Sequence, residues 1–81
     1  MTPEAMQQIQ WNAYLKARAD YYRAMAYAFR MDEVAAMLDP HTGEDARASK
    51  IAHLREMRES YTQMARQAEA DSVTTTQEIN A

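Results

Sequence analysis

The residues best suited to chemistry in this 81-residue chain fall into three short groups. Asp39, His41, Glu44 and Asp45 crowd the stretch around Pro40, and carboxylates beside an imidazole are the donor types a divalent cation takes. Their spacing argues against such a site. A calcium loop needs acids at alternating positions before a central glycine and a glutamate further on, and this segment has neither. The second group, His53 and Glu56, reads His-x-x-Glu, whereas di-iron bundles use Glu-x-x-His, and the first half of the chain has no matching set. Turn polarity and acids at a helix start account for these residues, so neither a metal nor a cofactor is expected.

The third group contains the candidate nucleophiles Ser49 and Ser60 and the carboxylates Glu56 and Glu59. A nucleophilic serine needs a base and an oxyanion hole, and neither serine has a glycine-rich turn beside it. At helical spacing Glu56 and Glu59 point in different directions on a charged surface. Arg55 and Glu59 read better as an exposed i,i+4 pair, worth ~0.3–0.5 kcal/mol. With no phosphate-binding loop either, no enzymatic activity and no small-molecule substrate are expected.

The elements that would position these residues are helices. The single Gly and two Pro leave almost no turn punctuation, while Ala, Met, Gln, Arg and Glu are abundant. No window of alternating β-branched residues competes with them. Thr2-Pro3-Glu4 reads as a helix start, with Thr2 as N-cap and Pro3 in the first turn. Nothing interrupts the helix before Asp39-Pro40, where proline disfavours the α conformation at Asp39. Thr42 is the expected N-cap of a second helix, with Glu44 and Asp45 in its first turn. The sequence therefore predicts an all-α, antiparallel two-helix hairpin over 1–70, with helices at about 3–38 and 43–70. Residues 71–81, with Ser72 and a run of three threonines, are expected to form an irregular C-terminal tail.

The two helices differ in what they must cover. On the second, Leu54, Met57, Tyr61, Met64 and Ala68 recur at alternating spacings of 3 and 4, flanked by Ile51 and Ala65, giving one narrow coiled-coil seam. On the first, Trp11, Leu15, Tyr22, Met25 and Phe29 gather on one bulky face, flanked by Tyr14 and Tyr21. Roughly opposite lie Met6, Ile9, Ala13, Ala17, Ala24, Ala28, Met31 and Ala35, with Leu38 at the end. One seam cannot cover both faces. The bulky face is expected to pack on Ile51, Leu54, Met57, Tyr61 and Met64 within the chain, because aromatic burial is what a thin core most needs. The small-residue face then remains for another chain, since monomers rarely leave so long an apolar strip in water.

Composition narrows the partner. Nine Lys/Arg against twelve Asp/Glu give a net charge of −3, with both signs interspersed, which disfavours nucleic acid. No stretch approaches the roughly 20 apolar residues of a membrane span, and the N-terminus lacks the pattern of a signal peptide. The absence of cysteine removes disulfides and thiolate metal sites. A protein partner is expected, either the chain itself or a larger complex, in the cytoplasm or in an intracellularly assembled particle. The function that follows is a structural subunit of an assembly, for example a small virion or secretion-apparatus component. The competing expectation is a small regulatory binder (inhibitor, adaptor or chaperone) that masks a partner's surface.

Overall fold

Two long helices account for nearly the whole chain. A computed structural model describes the backbone of residues 2–80 and the side chains of residues 2–72. Helix α1 spans Pro3–Leu38 and α2 spans Glu44–Asn80, packed as an antiparallel hairpin about 60 Å long and 13 × 12 Å in section.

The start and stop of α1 have local causes. Thr2 is extended, and its hydroxyl accepts from Ala5 N at 3.1 Å, satisfying one of the N–H groups a helix leaves unpaired. Asp39, just before Pro40, is extended again and ends the helix. In the turn, Asp39 Oδ1 accepts from His41 N at 2.9 Å and Oδ2 from the Thr42 hydroxyl at 2.5 Å. Arg47 closes the turn from α2 by donating to the carbonyls of Asp39, at 2.5 Å, and Thr42, at 3.0 Å.

Thr42 is therefore not the cap of α2. Its hydroxyl is donated to Asp39, and the first α-type bond of the helix runs from Arg47 N to the Gly43 carbonyl, at 2.9 Å. That places Gly43 at the cap, where it contributes no side-chain acceptor.

The expected tail is corrected as well, because α2 continues in helix to Asn80. The packing of α2 on α1 continues past the expected end as far as Ser72. Ser72 is buried at 3% exposure, and its hydroxyl donates to Asn12 Oδ1 on α1. The side chains of 73–81 lie outside the described residues.

Every third or fourth residue of α1, from Ala5 and Gln8 through Asn12, Leu15, Ala19, Tyr22, Ala26, Phe29 and Glu33 to Ala36, is buried or half-buried. On α2 the same rhythm selects Arg47, Ile51, Leu54, Arg58, Tyr61, Ala65, Ala68 and Ser72. Ala19 and Ala65 are almost completely enclosed, as small residues permit where helices approach closely. Tyr61 packs against Phe29 and Tyr22, with ring centroids at 5.6 and 6.1 Å. The seam thus follows Arg58 and Ala65, and the predicted Met57 and Met64 fall beside it. Met57 is half-buried, and Met64 is exposed.

Candidate interaction surface

One charged group sits inside the seam. Glu33 has no exposed surface, and three arginines surround its carboxylate. Arg58 Nε lies 2.7 Å from Oε2, Arg55 Nε donates to Oε1 at 3.4 Å, and Arg30 Nη1 lies 3.9 Å away one turn back on α1. The Arg58 Nε contact is a charge contact rather than an aligned hydrogen bond, since neither Nε nor Oε2 has a partner in hydrogen-bonding geometry. Arg55, expected to pair with Glu59, instead reaches across to this carboxylate. Glu33 falls on the three-four repeat of α1, in step with Phe29 and Ala36. Periodicity alone therefore marked its position, while hydrophobicity concealed it. The arginines offset the charge of a carboxylate that has left water entirely.

A shallow groove of about 290 Å3 opens along one edge of the hairpin, lined by Tyr14, Leu15, Arg18, Tyr22, Met64, Gln67, Ala68 and Asp71. Arg18 donates to the Tyr22 hydroxyl at 3.0 Å, and its guanidinium carbon lies 4.9 and 4.8 Å from the ring centroids of Tyr21 and Tyr22. The Tyr22 hydrogen bond is the main cause raising its pKa, so it stays cationic. Trp11, predicted to lie in the core, is 54% exposed at the end of this edge and stacks on Tyr14 with centroids 5.1 Å apart. Trp11 stands on the outer side of the seam, where Gln8, Asn12 and Leu15 face α2, so α2 does not cover it. Of the other predicted core residues, Leu15 and Leu54 are buried, and Tyr22, Met25, Phe29, Ile51, Met57 and Tyr61 are half-buried.

The predicted interface residues Met6, Ile9, Ala13, Ala17, Ala24, Ala28, Met31 and Ala35 are all exposed. They share one side of α1, turned away from α2. Its centre is a second three-four stripe, Met6, Gln10, Ala13, Ala17, Asp20, Ala24, Tyr27, Met31, Val34 and Leu38, in which only Val34 is half-buried. At coiled-coil spacing this stripe lies about 150° around the helix from the inner seam. Its bulky members stand in water, with Met6 51%, Tyr27 66% and Leu38 75% exposed. Arg23, on one margin, is tied to Glu69 of α2, the main cause raising its pKa. No group of three or more potential metal ligands occurs among the described residues, and no helix there is long and apolar enough to cross a membrane. Comparison with known proteins finds no family model, no curated protein and no solved structure that matches the chain.

Proposed function

We propose that this hairpin is a non-enzymatic assembly subunit whose working surface is the outer stripe of α1. One observation carries the reading: α1 repeats the three-four pattern on two opposite sides, and α2 covers only one. A helix that served only its own hairpin would carry charged and polar residues on its far side. Here that side carries Met6, Ile9, Tyr27, Met31 and Leu38 interleaved with alanines, with Gln10 and Asp20 as the polar members of its central stripe. The alanines allow another helix to approach closely, and the larger side chains supply apolar area.

The regulatory-binder reading draws on a different feature, the exposed Trp11, Tyr14 and Tyr21 beside the Arg18 groove. Aromatic residues of this kind anchor many interfaces. The two readings place the partner on different sides of α1, so position-specific cross-linking separates them. A photo-cross-linking residue is placed at Ala17, Ala24, Trp11 or Gln63, one at a time, and the protein is irradiated in the cells that make it. The assembly reading expects discrete adducts from Ala17 and Ala24 and none from Gln63 on the polar side of α2. Adducts from Trp11 alone would move the working surface to the aromatic edge. Silence from both Ala17 and Ala24 would overturn the assembly reading.

A further inference from the structure

We infer that the occupant of the outer stripe is a second copy of this chain, packed antiparallel with its twofold axis at the level of Tyr22; the inference rests on the assembly reading above. The stripe runs from Met6 to Leu38, about 48 Å at 1.5 Å per residue. At a helix width of ~12 Å, two such stripes would bury roughly 1,100 Å2 in total, which reaches the ~1,000 Å2 expected of a specific contact.

Side-chain size selects the orientation. In the antiparallel register that uses the whole stripe, Met6 meets Leu38 of the second copy, Ala13 meets Met31 and Ala17 meets Tyr27. The two central layers place Asp20 against Ala24. Three of the five distinct layers (Ala13 with Met31, Ala17 with Tyr27, Ala24 with Asp20) then join a small side chain to a larger one, so the axes keep a near-uniform separation through the middle of the stripe. Met6 with Leu38 and Gln10 with Val34 pair larger side chains at its ends. A parallel pair would stack Tyr27 on Tyr27 and Ala17 on Ala17, demanding wide and narrow spacing within three turns. It would also oppose Asp20 to Asp20, a like-charge contact at the centre of an apolar seam. The antiparallel pair separates these carboxylates. Sliding by one heptad leaves stripe residues at both ends without a counterpart. Arg23, on one margin, is already paired within its own chain by Glu69.

Because the outer stripe lies nearly opposite the inner seam, the four helices form a flat row, with the two α1 helices central and the two α2 helices outside. The absence of cysteine makes the arrangement directly testable. Ala17→Cys and Tyr27→Cys are prepared as separate proteins, checked for helicity, and oxidised alone and mixed; Ala13→Cys and Met31→Cys form a second pair. A disulfide requires Cα atoms within about 7 Å, so only facing positions join. The antiparallel dimer gives covalent dimers in each mixture and little in any single variant. Self-linking of Ala17→Cys and Ala13→Cys alone would establish the parallel pair and overturn the orientation. No covalent dimer anywhere, with the wild-type chain a 9.3 kDa monomer by light scattering across a concentration series, would overturn the second copy as occupant. In that event, heavier photo-adducts from Ala17 would still support the assembly reading with another partner, and their absence would remove both.

Discussion

The inner and outer stripes of α1 share one rhythm and differ in how their polar members are treated. The inner stripe includes Gln8, Asn12 and Glu33 among its apolar residues. Asn12 accepts a hydrogen bond from buried Ser72, and Glu33 is enclosed by three arginines. The outer stripe includes Gln10 and Asp20, and both face solvent. A polar group can leave water only where partners replace its hydration. The inner stripe has been committed to burial by residues of its own chain. The outer stripe carries no such commitment, and its alanines and scattered large side chains suit a surface that is stable in water and closes only on association.

The strongest way to break this contrast is to remove the charge buried in the inner stripe. Glu33→Ala leaves Arg58 and Arg55 without their common carboxylate. Loss of one partner of a buried pair generally costs ~3–5 kcal/mol, and about 3 is expected here because both arginines are partly exposed and can turn to water. Replacing both members, Glu33→Leu with Arg58→Leu, should restore or exceed the original stability. Urea melts followed by circular dichroism measure both. A single Glu33→Leu at least as stable as the parent would show that the carboxylate does not organise the seam.

Next in size is a direct exchange between the two stripes. Phe29→Ala removes a half-buried ring stacked on Tyr61 and should cost about 2 kcal/mol, less than the ~3–5 of a fully buried phenylalanine. Ala28→Glu, on the outer side, should change monomer stability by no more than ~0.5 kcal/mol and abolish association. Circular dichroism and light scattering on the two variants read both effects. Unfolding by Ala28→Glu, with mere dissociation by Phe29→Ala, would reverse the assignment of the two faces.

The smallest effect lies in the turn that joins the helices. The Thr42 hydroxyl, helped by His41 N–H, holds the Asp39 carboxyl below its ordinary pKa. A pKa lowered by folding means the stabilisation is complete above the unfolded value, ~3.9, and fades as pH falls through the folded one. Thr42→Ala should raise the Asp39 pKa towards its unfolded value and shrink the stability this group loses on acidification, whereas His41→Ala should leave both unchanged, because only its backbone is engaged. An NMR titration of the Asp39 carboxyl decides it. An unmoved pKa in Thr42→Ala would remove the hydroxyl from this account.

Legibility in the sequence followed the range of the cause. Thr2, Pro3 and the Asp39-Pro40 break act within a turn of themselves, and the first helix ends where they place it. The two-sided character of α1 was legible too, because periodicity belongs to a single helix. Met57 and Met64 were chosen for the seam over Arg58 and Ala65 on hydrophobicity, which ranks residues by their own transfer cost. That ranking cannot register Glu33 opposite Arg58, since an arginine belongs in a seam only when a carboxylate from the other helix arrives there.

By itself, then, the sequence determined two helices, the proline-marked break between them, and an α1 with apolar residues on opposite sides. These depend on backbone sterics and on a period that each segment carries alone. The tertiary structure decided the rest: the helical course of α2 beyond residue 70, the burial of Glu33 and Ser72, the exposure of Trp11 and Met64, and the solvent-facing outer stripe. Each depends on which residue of the other helix stands opposite. Register between helices is a property of the pair, set by close approach at alanines and by the matching of buried charge, and neither helix holds that information alone.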